Sequence, residues 1–265
     1  GSQLEVMDVI AGMGENLITI NAGEMKRRGG RLRLTGNVNT LTVRDANRII
    51  DEIGEVERVA PFEEKRMAAK FSNNSAETTI AGSTIDFRFI RNYELKNGEF
   101  FSERDVKTAN RVAIIGMTVV KNLFGEEDPV GQVIRVHFIP FKIIGVFEPK
   151  GVDTNGLDQD DLVLIPLSTY MRRIVNQTFV SRIFVQASSR KNIPKASEKI
   201  RELLRESHKL TDERNDDFTL ISQLDIEELK KETTEMFTKL IVGVAGISLL
   251  VGGIGILAVM LISVK

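Results

Sequence analysis

Residues 240–264 read LIVGVAGISLLVGGIGILAVMLISV, without a single charged side chain. A helix of this length rises about 37 Å, enough to cross a hydrocarbon core of about 30 Å with some tilt. The alternative is a helix buried in a large soluble core, but such helices rarely run this far with only one or two serines for polarity. Residues 240–264 are therefore expected to span a membrane, with the preceding residues folded on one side of it.

Working back from the span, Asp225 to Glu228 can cap a helix whose apolar positions Ile226, Leu229, Met236, Phe237 and Leu240 continue in register into it. No Pro or Gly falls between Asp225 and Ile241. The stalk, residues 223–239, and the span are expected to form one rod of roughly 40 residues and roughly 60 Å. A rod that crosses the interface without a joint can transmit movement. Within the span, Ala245, Ser248, Gly252 and Gly255 recur at spacings of three, four and three. Such a stripe lets helix backbones approach closely in lipid; the plainer reading is that glycine is common in membrane helices.

The rest of the chain has globular composition. Of 265 residues, 28% are charged and 42% hydrophobic, enough for a sizeable core divided into two modest subdomains. A net charge of −1 gives no electrostatic case for nucleic acid. The absence of cysteine excludes a disulfide framework and a Cys-based metal site, and leaves the redox compartment open. Gly1-Ser2 looks like a cloning remnant, and no signal peptide opens the chain, so its native start is expected upstream.

From the N-terminus, residues 3–14 read as the end of a stalk helix, with Leu4, Met7 and Ile10 or Ala11 on one face and Gly12 and Gly14 at its stop. Glu15 to Gly23 alternates as a strand. The basic run KRRGGRLR (26–33) reads as a solvated loop, or else as a contact with lipid headgroups or an acidic partner. Thr42-Val-Arg-Asp45 resembles a capping box and opens an amphipathic helix to Ile53, with Ala46, Ile49, Ile50 and Ile53 facing in. Val56 to Ala60 reads as a strand stopped by Pro61, followed by strands at 66–71 and 78–81.

A different texture follows, with short strands and many glycines: strand 111–115, helix 119–124, strands 133–136 and 141–147 as a hairpin around Ile139-Pro140, strand 162–165 and helix 168–175. Then the first texture returns, with strand 182–187, helix 194–208 presenting Ala196, Ile200, Leu203 and Leu204 inward, and strand 218–221. The expected fold class is α+β with α/β-like units. Two β-α-β units form one discontinuous subdomain, residues 15–82 and 179–222, and residues 83–178 form a second, inserted one.

Chemistry is sparse. His137, in a strand, and His208, at a helix end, have no second histidine nearby and read as structural or solvated. No GxxxxGK[ST] loop is present, and no serine has a GxSxG setting. The loop 153–161 gathers carboxylates but departs from the calcium-loop pattern; Asp158, Asp160 and Asp161 are expected to hold it beside the strand at Leu162. No catalytic residue, metal or cofactor is expected, and the chain is not expected to be an enzyme.

One run carries a resemblance. RVAIIGMTVVKNLFGEEDPVGQVIRVHFIPFKIIGVFEPKG (111–151) is similar to the extracytoplasmic core domain of MacB-type ABC transporter permeases, in VAIIG, LFG, DPVGQ, the F-x-I-I-G-V strand and the KG after it. GLDQDDLVLIP (156–166) and STYMRR (168–173) continue the match. GENLITINAG (14–23), LTVRDANRI (41–49) and VAP (59–61) fit the same family, and VGGIGILAVMLISV (251–264) looks like its second transmembrane helix. The resemblance implies a porter-like α/β part with an inserted sabre-like subdomain, in a permease with four transmembrane helices. It implies mechanotransmission, similar to LolCDE-type lipoprotein exporters and FtsX-type regulators: cytoplasmic ATP hydrolysis moves the stalks of a dimer. Drugs, peptides or lipoproteins are then expelled from the envelope. The partners implied are an ABC ATPase domain or subunit, a second copy or related permease subunit, a periplasmic adaptor and outer-membrane channel, and the lipid bilayer of the inner membrane. Two other classes stay open on the residues alone: a tail-anchored membrane protein with a cytosolic binding domain, and a hydrolase built on the Asp loop.

Overall fold

A computed structural model of the chain describes residues 16–263 apart from 29–30, 36–38, 153–155 and 212–213. The helix end expected over 3–14 and the last residue of the expected span, Val264, lie outside the described residues. In chain order the elements are β1 (Leu17–Ala22), β2 (Glu24–Arg28), β3 (Arg31–Thr35), α1 (Val43–Glu52), β4 (Val56–Phe71), β5 (Asn74–Ser83), α2 (Asp86–Ile90), β6 (Leu95–Gly98), α3 (Glu103–Thr108) and β7 (Val112–Ile115). They continue with α4 (Met117–Leu123), β8 (Val133–Val136), β9 (Ile139–Phe147), β10 (Leu162–Pro166), α5 (Leu167–Thr169), a π-helical turn (Tyr170–Val175), β11 (Arg182–Ala187), a 3₁₀ turn (Arg190–Asn192), α6 (Ile193–Ser207), β12 (Phe218–Ser222) and α7 (Gln223–Ser263).

The expected mixed α/β fold is present, and its first part is more interleaved than the sequence suggests. β1-α1-β4 and β11-α6-β12 are both strand-helix-strand units, but each leaves a gap that the other fills. The strand order is β12-β1-β11-β4 with every neighbour antiparallel. This is the split β-α-β arrangement of ferredoxin-like domains. Alternation along β1 puts Leu17 into an aromatic cluster while Ile18 and Ile20 are buried on the opposite face. The basic run expected as a loop is strand instead: β2 and β3 pair antiparallel, with Lys26 opposite Arg33 and Arg28 opposite Arg31. A two-stranded ladder satisfies the backbone whatever side chains it carries, so charge alone does not argue for a loop.

β4 does not stop at Pro61. It runs unbroken for 16 residues. Its first half pairs with β11 as far as Phe62, and its second half pairs with β5 from Glu63 to Phe71. Pro61 falls where only the β11 edge of the strand is paired, so its missing N–H leaves no gap in the β5 ladder. Its carbonyl is used: the Ser83 hydroxyl donates to it at 2.9 Å.

Beyond Glu63 the sheet closes on itself. β4 pairs with β5, β5 with β10, β10 with β7, β7 with β9, β9 with β8, and β8 returns to β4 through Ala69 and Lys70. The β5–β10 and β7–β9 pairs are parallel, and α4 and β8 lie in the connection between β7 and β9, as a parallel pair requires. Alternate residues segregate into two cores. Ala69, Ile80, Ala113, Ile115, Phe141, Ile143, Val163 and Ile165 share one cluster with Val119 and Leu123 of α4 and with Tyr170. Ala81, Ile114, Leu162 and Leu164 instead join Leu17, Phe62, Phe87, Tyr93, Phe147 and Phe184. The second cluster ties the ring to the open sheet through a chain of rings: Phe184–Phe62 (5.3 Å), Phe62–Phe87 (5.2 Å), Phe87–Tyr93 (5.4 Å) and Tyr93–Phe147 (4.8 Å). Each such aromatic pair contributes about 0.5–1.5 kcal/mol beyond its buried area. Gly82 is needed here, because a Cβ on it would lie 2.4 Å from the Tyr170 Cβ.

The β8–β9 hairpin turns two residues earlier than its proline suggests. Val136 faces Ile139, and the loop is His137-Phe138, with φ of 46° and 67°. His137 is thus a turn residue, not a strand residue. Pro140 sits inside β9 opposite Arg135, at a position that β7, whose pairing starts at Lys142, does not reach. The helix expected over 168–175 is present, but its second part is wound as a π-turn.

Candidate functional site

α7, the stalk and apolar segment, runs 41 residues, about 60 Å at 1.5 Å per residue, with Asp225 in its first turn. Among the described residues it is the one helix long and apolar enough to cross a membrane, through Thr234–Ile254. That segment begins nearer the stalk than the expected span. Its large apolar side chains stand exposed, among them Leu240, Ile247 and Leu249. Two hydroxyls within it bond to their own helix: Thr238 donates to the Thr234 carbonyl and Ser248 to the Val244 carbonyl, both at 2.9 Å. In a medium without water a polar side chain must do this.

The stripe residues Ala245, Ser248 and Gly252 lie exposed on this helix, and Gly255 lies further along it. Successive steps of 100° put the four within an arc of about 80°. A Cβ on Gly252 would meet nothing within 4 Å, and the same holds for Gly243, Gly246 and Gly253 on other faces. Of the stalk positions, Ile226 is buried and Met236 and Phe237 are exposed, while Leu229 falls on the same arc by position.

The carboxylate loop is organised around Asp160, whose side chain is buried. One oxygen accepts from the Lys150 backbone N–H at 2.8 Å, the other from the Gly151 N–H at 3.0 Å. Asp158 accepts from the Asp160 N–H (2.9 Å) and from the Thr118 hydroxyl (2.6 Å), and Asp161 pairs with Arg66 at 3.1 Å. The KG pair and the carboxylate loop, separate features in the sequence, are therefore one hydrogen-bonded unit. Lys150 completes it: its ammonium donates to the Arg91 and Asn92 carbonyls (2.7 and 3.2 Å) and sits 4.4 Å from the Tyr93 ring centre. Burial, with the Arg91 charge beside it, lowers the Lys150 pKa to about 8. Gly116 packs against the same loop, where a Cβ would come within 2.2 Å of the Asp160 carbonyl oxygen. No group of side chains suited to hold a metal occurs among the described residues.

A cleft of about 430 Å³ lies beside this loop, lined by Phe62, Arg66, Arg91, Tyr93, Asp161 and Arg182 among others. Its charges are largely spent on each other, Arg182 on Glu64 at 2.9 Å and Arg66 on Asp161.

Sequence reasoning misses one polar cluster altogether. Asp45 caps α1 as its spacing suggests, accepting from the Thr42 N–H (2.9 Å) and hydroxyl (2.7 Å). Its other oxygen accepts from the Ser207 hydroxyl at 2.6 Å, and His208 lies 3.5 Å away, with its opposite nitrogen 2.6 Å from Asp217. Burial opposes the Asp45 charge, but the His208 ring 3.5 Å away and the hydrogen bonds from Ser207 and Thr42 outweigh it and hold the carboxyl below its usual range. The His208 pKa is raised by the carboxylates on either side of it, Asp45 first and Asp217 after it. With 162 residues between Asp45 and Ser207, no local pattern announces this contact.

With this geometry in view, comparison with known proteins gives one family. The model of the MacB-like periplasmic core domain matches residues 1–203, and the chain belongs to that family. It is 30% identical over 265 residues to the macrolide export ATP-binding/permease protein MacB of Bdellovibrio bacteriovorus, and 33% identical over 264 residues to that of Wolinella succinogenes. All of this chain is covered in each case, and it spans about 40% of the length of these relatives. The periplasmic region of MacB from Actinobacillus actinomycetemcomitans has the same fold, with a TM-score of 0.70 and 24% identity, over 83% of this chain and 94% of that one.

Proposed function

We propose that the chain is the extracytoplasmic domain and second transmembrane helix of an inner-membrane ABC permease of the mechanotransmission type. In this reading it couples cytoplasmic ATP hydrolysis to extrusion of drug, peptide or lipoprotein substrates. The observation that carries it is the continuity of α7, whose 41 residues pass from a charged first part into an apolar one without a break. A joint between the two would dissipate motion. A single helix is stiff over this length because each added residue makes its own backbone hydrogen bond.

In this reading residues 15–82 with 179–222 are the porter-like part and 83–178 the sabre-like insertion, and the second half of β4 with β5 carries the first into the ring built with the second. Asp158, Asp160 and Asp161 are structural. Ala245, Ser248, Gly252 and Gly255 form a packing face for another helix. The partners are an ABC ATPase domain or subunit, where ATP is hydrolysed, and a second permease subunit, with a periplasmic adaptor and outer-membrane channel beyond them. The macrolide-export names of the relatives support the transport reading, and residues 1–203 carry the family match.

The test is Thr234→Pro in the full-length permease, reconstituted with its ATPase. Proline in a helix interior removes a hydrogen bond and costs about 3 kcal/mol or more, so it kinks the rod where the apolar segment begins. ATP turnover should persist while export is lost. Export that survives the kink defeats the lever. A reporter at Ser75 found on the cytosolic side would favour a tail-anchored protein instead.

A further inference from the structure

The hairpin β8–β9 ends in two bulky residues held in left-handed backbone, a conformation that favours Gly and Asn. Phe138 is 90% exposed there, the most exposed large apolar side chain among the described residues. Strain of this kind, spent on exposing an aromatic ring, does nothing for the fold itself. The strand faces behind the tip are equally one-sided. Ile134, Val136 and Phe141 point into the ring and are fully buried. The opposite face carries Lys70, Arg135, Pro140, Val133 and Lys142, all exposed.

Register brings the charges together. Lys70 is directly opposite Arg135, whose other neighbour is Pro140, and Val133 is opposite Lys142. Side chains directly opposite on one face sit about 4.5–5.5 Å apart at Cβ, and like charges placed so repel. None of the three cations makes an ion pair among the described residues, and Glu77 on β5, opposite Ala68, pairs with none of them. The face is thus an unneutralised cationic row ending in an exposed aromatic ring. Ring closure matters as well. β8 is paired with β4 on one side and β9 on the other, so a partner cannot add a strand here and must be recognised through side chains.

We propose that this face is a docking surface for a second, different polypeptide presenting an apolar pocket for Phe138 rimmed by carboxylates for Lys70, Arg135 and Lys142. Charge complementarity selects the acidic rim, and the lone aromatic selects a pocket. A lipid surface fits less well. Membrane insertion would need several apolar side chains at the tip and cations on both sides of it, whereas only one face of this hairpin is open. The surface stands on the strand ring alone and does not depend on the transport reading.

The experiment replaces Phe138 by the photoreactive p-benzoylphenylalanine in the intact protein in its own cells, followed by mass spectrometry of the adducts. The expected product joins position 138 to a second polypeptide at a site flanked by Asp or Glu. The triple charge reversal Lys70→Glu, Arg135→Glu, Lys142→Glu should lower its yield about tenfold or more, as like charges brought into contact do. Lysines placed at the mapped carboxylates should restore it. The set Lys70→Met, Arg135→Met, Lys142→Met repeats the test without added negative charge and should give a smaller loss. Adducts only with phospholipid, only with another copy of this chain, or with nothing beyond the unirradiated control overturn the proposal. So does a protein adduct whose yield is indifferent to both sets of substitutions.

Discussion

The two halves of β4 live in different environments, though one unbroken strand contains both. Val56–Phe62 belongs to an open antiparallel sheet, and the helices that accompany it, α1 and α6, are tied together by the buried polar contacts of Asp45, Ser207 and His208. Glu63–Phe71 belongs to a closed ring whose interior is almost wholly apolar. The comparison separates two ways of specifying structure. Packing in the ring depends on volume and is blind to pH. The helix layer depends on a few charge-assisted bonds between residues far apart in sequence, and so carries a dependence on pH that the apolar interior of the ring lacks.

The sharpest way to break the comparison is to remove volume from the ring. Phe141 is fully buried, and Phe141→Ala should cost about 3–5 kcal/mol, the transfer term plus an uncollapsed cavity. Guanidinium unfolding at pH 5 and pH 8 should show the same loss at both. A loss that varied with pH would mean the ring and the polar cluster are not separate sources of stability.

The second prediction concerns the cluster. Asp45→Ala removes the cap, strands Ser207 and takes from His208 one of its two carboxylates, and should cost about 2–3 kcal/mol at pH 6. The parent protein should also respond to pH on both sides. Asp45, held below its ordinary 3.8, adds stability that is present above pH 4 and lost as pH falls toward its folded value. His208, raised above its ordinary 6.5, adds stability that is complete below pH 6.5 and lost as pH rises through its folded value. Thermal melts should therefore peak between about pH 4 and pH 6.5, and His208→Gln should remove the fall on the alkaline side. A profile unchanged by His208→Gln would discard the cluster as a source of stability.

This contrast also explains what the sequence discloses. Local features are legible: the Thr42–Asp45 cap, the inward face of α6 at Ala196, Ile200, Leu203 and Leu204, and the unbroken course of α7 from a charged stalk into an apolar segment. Contacts between distant segments are not. The interleaving of two strand-helix-strand units and the closure of the ring through β8 depend on pairings that leave no local pattern. Pro61 and Pro140 mislead for one shared reason. Proline excludes a strand only where a ladder needs its N–H, and each sits where a single edge is paired. Asp160 and the KG pair are visible separately, but nothing in their spacing says that one binds the other.

That last contact gives the third prediction. Asp160→Ala leaves the Lys150 and Gly151 amides without their acceptors and should cost about 2 kcal/mol. Asp158→Ala loses bonds at an exposed side chain, to the Thr118 hydroxyl and the Asp160 N–H, and should cost about half as much. Equal losses would mean that Asp158 organises the loop as much as Asp160 does.

The smallest expected effect has the opposite sign and tests the ring where it departs from its own rule. Every other part of the ring gains stability from what it buries, but the His137-Phe138 turn exposes its aromatic ring and holds two L residues at positive φ. A left-handed residue of this kind costs about 1–2 kcal/mol, and an Asn-Gly pair removes most of it. The double change His137→Asn, Phe138→Gly should therefore stabilise the fold by about 1 kcal/mol, read as a rise in the unfolding midpoint at constant m-value. A gain confirms that the native turn residues are kept for something other than folding. A loss would mean that Phe138 packs on its own hairpin, and that the ring is governed by burial throughout.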